Sequence, residues 1–205
     1  IFFLSIILKK LNEEEKMVSI LTLWLPILLS AVFVFIISSI IHMALPYHRS
    51  DYIKVPDEDA FIESVGKLDI PPGDYVVPHA GSMSEMNSPE FAEKAKKGPA
   101  LFMTVMKGNP REMGLSLLMW FLYSMIISIL AAYIASRTVP MGGRFLAVFR
   151  FAATVSFMAY ALALAQNSIW FKKKWSTTFK SMFDGLIYAI VTGLTFAWLW
   201  PGLPA

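Results

Sequence analysis

Few side chains in this sequence have chemistry to offer, and the three histidines come first: His42, His48 and His79. Met83 and Met86 follow His79 in the pattern His79-x3-Met83-x2-Met86. Imidazole suits zinc, copper, iron or nickel, and added thioethers favour copper. His42, His48, His79, Met83 and Met86 are therefore the candidate metal ligands. The competing reading is three unrelated histidines, since no two share ligand spacing on one helix face. Cysteine is absent, which excludes disulfides, thiol catalysis and thiolate metal sites.

Two charges lie at the margins of apolar stretches. Arg150 falls about a turn inside one, and Asp184 opens another. An ionisable group within a membrane span is a functional candidate by default. The plainer reading is that Arg150 snorkels to an interface and Asp184 favours the positive end of a helix dipole. No acidic residue is expected in the middle of a span, which counts against a proton-coupled carrier. Ser82, Ser84 and Ser88 cluster in a polar segment, but there is neither a Gly-x-Ser-x-Gly elbow nor a phosphate-cradling glycine loop. No catalytic residue and no cofactor are assigned, and an enzyme is not expected. Lys172, Lys173 and Lys174 between Trp170 and Trp175 form a basic-aromatic patch. It would attract anionic lipid headgroups at about 1 kcal/mol per basic residue.

The elements that must position these groups are membrane spans. Hydrophobic residues make up 56% of the 205, and uncharged runs approach the ~20 residues a bilayer core requires. The predicted fold class is an all-α membrane protein. It has four transmembrane helices, at 17–45, 114–136, 145–166 and 184–201, with a small mixed helix/hairpin module at 46–113. Residues 167–183 form the interfacial link before the fourth span. The net charge of +3 is scattered, so no nucleic-acid partner is expected. Residues 1–16 are polar after a short apolar start, and Met17 is followed at once by an uncharged run. The expectation is that 1–16 are translated leader or a short amphipathic extension.

In the polar segment, Phe61, Ile62, Val65 and Leu68 recur at helical spacing behind Asp57, Glu58 and Asp59. Ser88-Pro89-Glu90 reads as an N-cap and the first turn of a second helix. Residues 74–78 and 100–106 are strand candidates. A lone hairpin is marginal in water, so the ribbon must pack on something.

Small residues recur every fourth position in three spans. They are Gly185, Ala189, Gly193 and Ala197 in the fourth; Ser124, Ser128 and Ala132, continuing to Ser136, in the second; and Ala152, Ser156, Ala159 and Ala163 in the third. Such faces let helix backbones approach closely in lipid. They predict a core of spans two to four, with the bulkier first span at the side. Lys and Arg near span ends favour the polar module and lysine link in the cytoplasm.

Two stretches carry a resemblance. One runs from Ser39 through His42-Met-Ala-Leu-Pro-Tyr-His-Arg-Ser-Asp to Asp59. The other is Ser168-Ile-Trp-Phe-Lys-Lys-Lys-Trp-Ser176 with Phe183-Asp-Gly-Leu-Ile-Tyr188 and the segment 198–201. Together they resemble a group of uncharacterised bacterial integral membrane proteins, and the second is similar to the C-terminal end of DUF1761-type proteins. The resemblance implies a multi-pass protein of the bacterial cytoplasmic membrane and no particular activity. The leading expectation is a structural or accessory membrane subunit, with the bilayer, a membrane protein or a second copy as partner. The alternatives are a small transporter or channel, and a copper- or zinc-binding membrane protein.

Overall fold

The computed structural model describes residues 17–107 and 113–202. In chain order the elements are α1 (Trp24–Ala44), α2 (Glu58–Gly66), β1 (Gly73–Val77), α3 (Met83–Met86), α4 (Pro89–Lys96), β2 (Leu101–Val105), α5 (Gly114–Thr138), α6 (Phe145–Tyr160), α7 (Ala165–Phe171) and α8 (Trp175–Trp198). They form two compact units. One joins the chain up to Asp51 with the chain from Gly114 onward; the other is Tyr52–Met113.

The first unit is a four-helix bundle. Among the described residues, four helical stretches are long and apolar enough to cross a membrane: Ile20–Ala44, Gly114–Thr138, Phe145–Phe171 and Trp175–Trp198. The chain is an all-α membrane protein, and its bundle is a ring in which α1 adjoins α5 and α8, and α6 adjoins the same two. The expected peripheral place for the first span is corrected here. Its bulky aliphatics conceal a face on which Ser30, Ala31, Val34, Ser38 and Ile41 are buried. Ser30 Oγ lies 3.0 Å from Ser128 Oγ, and Trp120 Nε1 donates to Ser38 Oγ at 2.8 Å. Outward-facing Leu118, Ile126, Ile129 and Leu130 are exposed, as lipid-facing side chains must be.

The closest approach is between α6 and α8. Gly185, Ala189, Gly193 and Ala197 are all buried. A Cβ at Gly185 would stand 2.6 Å from the Tyr160 carbonyl oxygen and 2.9 Å from Ala161 Cα, so backbone touches backbone there. Ser124, Ser128, Ala132, Ala152 and Ser156 are buried as well, and Ala159 is half-buried. Ala163 departs from its predicted face and is exposed. The reason is a break in the third span: α6 stops at Tyr160, a 3-10 turn covers Leu162–Leu164, and α7 resumes at Ala165. That change of pitch rotates Ala163 outward.

At one end of the bundle the α5–α6 turn is tied down by the chain's last described residues. Gly142 N donates to the Pro201 carbonyl at 2.8 Å, and Trp200 Nε1 donates to the Pro140 carbonyl at 3.0 Å. Gly142 has φ +72°, a conformation glycine adopts without strain. At the other end α1 stops before Pro46, and residues Pro46–Ser50 form a 3-10 turn. The fourth-span helix starts at Trp175 rather than 184, so Asp184 lies in its interior instead of at its start.

The second unit matches its sequence signals. Asp57 caps α2 by accepting from Ala60 N at 3.1 Å, and Ser88 caps α4 by accepting from Phe91 N at 3.1 Å. The strands pair antiparallel with Tyr75 opposite Met103, and Thr104 Oγ1 donates to Asp74 Oδ1 across them at 2.6 Å. Helix α3 was not anticipated, although Ser82-Met-Ser-Glu85 is a capping-box pattern. Ser82 Oγ accepts from Glu85 N, and Glu85 Oε2 accepts from Gly81 N. None of the described residues in this unit is fully buried.

Candidate metal centre

At the α1 end of the bundle, a turn and a helix far apart in sequence meet. Lys180, Asp184 and Tyr188 lie at i, i+4 and i+8 of α8, one helical face. Pro46 ends α1 and pre-sets the tight 3-10 turn that carries Tyr47 and His48 over that face. Asp51 follows the turn, its backbone N–H bonded to the His48 carbonyl at 3.0 Å.

The polar side chains here are linked to one another. Asp184 is 2% exposed. Its Oδ2 lies 2.8 Å from His48 Nε2, and its Oδ1 accepts from the Tyr47 hydroxyl. His48 Nδ1 lies 2.6 Å from Asp51 Oδ2. Lys180 Nζ donates to Asp51 Oδ1 at 2.8 Å, to the Tyr47 carbonyl at 2.6 Å and to Ser50 Oγ at 2.8 Å. The His42 ring lies 4.5 Å from that of His48, and the Tyr47 ring 4.2 Å from it on centroids. Behind His42 stands Tyr188, its hydroxyl 3.5 Å from His42 Nε2.

The charges balance. An ionised carboxylate only accepts hydrogen bonds, so His48 between two of them requires one further proton, on its ring or on a carboxyl. With that proton and the Lys180 ammonium, the two carboxylates are neutralised, the condition for keeping them buried. Burial pushes the Asp51 carboxyl up, but hydrogen bonds from Lys180 and His48 outweigh it and hold Asp51 below its ordinary value. The Tyr47 phenol is raised well above its ordinary value, first by burial and then by its hydrogen bond to Asp184.

A donor atom from each of His42, His48 and Asp184 lies within 4.8 Å of the other two. The outer contacts orient these donors. Asp51 takes the His48 Nδ1–H, which leaves Nε2 as the ring nitrogen that would ligate an ion once its proton is displaced, the carboxylate–histidine arrangement that tunes metal ligands. Tyr47 occupies one oxygen of Asp184 and leaves the other facing His48. Two imidazoles and one carboxylate form a mixed N/O set suited to zinc, iron or another imidazole-binding divalent ion.

Of the candidate ligands read from sequence, the structure brings His42 and His48 together. His79, Met83 and Met86 belong to the other unit, where His79 is exposed and Met83 and Met86 sit on α3. Asp184, Tyr47, Asp51 and Lys180 were not assigned to the site. One signal for them was legible: the i, i+4 pair Lys180 and Asp184 set into an otherwise apolar run. Lys172, Lys173 and Lys174 are exposed between α7 and α8, as are Trp170 in the last turn of α7 and Trp175 at the start of α8. Lys172 takes φ +56°, which turns the chain there. Comparison with protein-family models, curated proteins and solved structures finds no match.

Proposed function

We propose that this chain is a metal-binding membrane protein that holds one divalent transition-metal ion through His42, His48 and Asp184. The observation that carries the reading is the convergence of those three donors within 4.8 Å, with Asp51 and Tyr47 fixing the orientation of two of them. Without a thiolate or thioether in the set, zinc or iron fits better than cuprous copper. Three protein ligands leave a position for water or a further ligand.

The accessory-subunit reading drew on the small-residue faces, and those on α5, α6 and α8 are largely covered within the bundle itself. That leaves them little surface with which to grip a partner. The bacterial cytoplasmic membrane is the setting implied by the resemblance. Lys172, Lys173 and Lys174 with their flanking tryptophans would rest on anionic headgroups.

The test is metal content. The protein, purified in mild detergent without a histidine tag or chelator, is expected to carry close to one equivalent of zinc or iron by mass spectrometry. Asp184→Asn and His48→Gln are expected to lose it, and Met83→Leu with Met86→Leu to keep it. Absence of a stoichiometric ion, both as purified and after titration with Zn(II) and Fe(II), overturns the reading.

A further inference from the structure

The bundle interior holds a second polar feature, independent of the metal reading. Ser124 Oγ, Ser156 Oγ and Tyr160 Oη are buried and have no protein hydrogen-bond partner among the described residues. The neighbouring hydroxyls behave differently. Ser30, Ser38, Ser128, Ser136, Thr192 and Thr195 each donate to a carbonyl of their own helix. That option is open to any helical serine, and Ser124 and Ser156 do not take it.

Helical spacing and one side-chain approach relate the three groups. Ser156 and Tyr160 are one turn apart on α6, on a common face. Ser124, on α5, stands beside the Tyr160 hydroxyl without meeting hydrogen-bond geometry. Rings close the surroundings: Tyr160 lies 6.0 Å from Tyr123, 5.9 Å from Trp120 and 5.6 Å from Tyr188 on centroids.

The helix break is at the same point. With α6 ending at Tyr160, the Tyr123 hydroxyl donates to the Ala159 carbonyl at 3.2 Å, re-satisfying one backbone group. Non-helical backbone at membrane depth is tolerated where it is buried in protein or lines a hydrated cavity. A hydroxyl left unpaired in such surroundings is costly, and buried waters make about three hydrogen bonds to groups of this kind.

We infer that Ser124, Ser156 and Tyr160 form an internal hydration site, in which at least one ordered water bridges the three hydroxyls beside the break in the third span. The ligand is water rather than an ion, because no charged side chain is among the three groups that face it. Through the edge-to-face Tyr160 and Tyr188 rings the site adjoins His42, and so lies behind the candidate metal centre.

The experiment is thermal unfolding of full-length variants in mild detergent, with water-edited NMR of ring-labelled tyrosine in liposomes. Tyr160→Phe removes one hydroxyl at nearly constant volume and helix propensity. If water bridges the site, the melting temperature falls by about 2–4 °C. In the double variant Ser156→Ala/Tyr160→Phe the second loss is smaller than in isolation, because both act on one network. Rapid magnetisation transfer from water to Tyr160 is expected, and Ser124→Ala/Ser156→Ala should abolish it. A Tyr160→Phe protein that melts at the same or a higher temperature, with no transfer from water in the parent protein, overturns the inference. The readouts are melting temperature and transfer from water, not metal content, so loss of the metal reading and loss of this one are separable.

Discussion

Changing Asp51 to Asn separates support from ligation at the candidate centre. The side chain is not one of the three converging donors; it holds His48 Nδ1 at 2.6 Å and takes Lys180 Nζ at 2.8 Å. Removing such an outer carboxylate lowers metal affinity about 10–100-fold. Asp51→Asn should therefore still bind one ion, with a dissociation constant raised by about that factor in competition with a chelating dye. The same residue sets an acid limb in metal-free protein. Its folded pKa lies below the ordinary 3.8, so its contribution is present above that value and is lost as pH falls through the folded pKa. Metal-free protein should lose stability on acidification below about pH 4, and Asp51→Asn should flatten this part of the profile. Sequence alone could find His42 and His48 by residue type. It could not find Asp51 and Asp184, because their meaning depends on a 3-10 turn folding onto a helix more than a hundred residues away.

The helix pair α6–α8 makes a sharper claim than small-residue spacing does. At Gly185 a Cβ would meet the carbonyl and Cα of the break, at 2.6 and 2.9 Å. At Gly193 it would meet Ala153 Cβ at 2.8 Å and the Phe149 ring at 2.9 Å. All three atoms met at Gly185 are backbone and cannot step aside; at Gly193 only Ala153 Cβ is fixed, and the phenyl ring can rotate. Gly185→Ala should cost about 1–3 kcal/mol, measured as reversible unfolding in mixed micelles, and Gly193→Ala should cost less. Equal costs would mean that the contact at the break is softer than its geometry. The small faces of α5, α6 and α8 were legible in the sequence because close backbone approach in lipid needs side chains of that size. Two element boundaries were not. The start of α8 was placed late because Asp184 read as the charge that opens the span, yet Tyr47 and His48 satisfy it from across the chain. The break after Tyr160 carries neither Pro nor Gly, the usual marks of a kink, and so was invisible in the run 159–165.

For the whole molecule, the distribution of basic residues predicts which side of the membrane the candidate centre faces. The centre shares its bundle end with Lys180, Arg49 and the lysines between α7 and α8. The opposite end has Arg137 at the close of α5 and Arg144 just before α6. Basic residues near span ends set orientation, and the richer side faces the cytoplasm. With four spans, this rule predicts both ends of the bundle's chain outside and the candidate centre on the cytoplasmic side. Absence of cysteine makes the measurement direct. A single cysteine placed at Ser82, the exposed N-cap of α3, should stay unlabelled by an impermeant maleimide in intact cells. It should react fully once the membrane is permeabilised. A cysteine at Met141, 56% exposed in the α5–α6 turn, should show the opposite pattern. Labelling of the Ser82 position in intact cells would reverse this orientation.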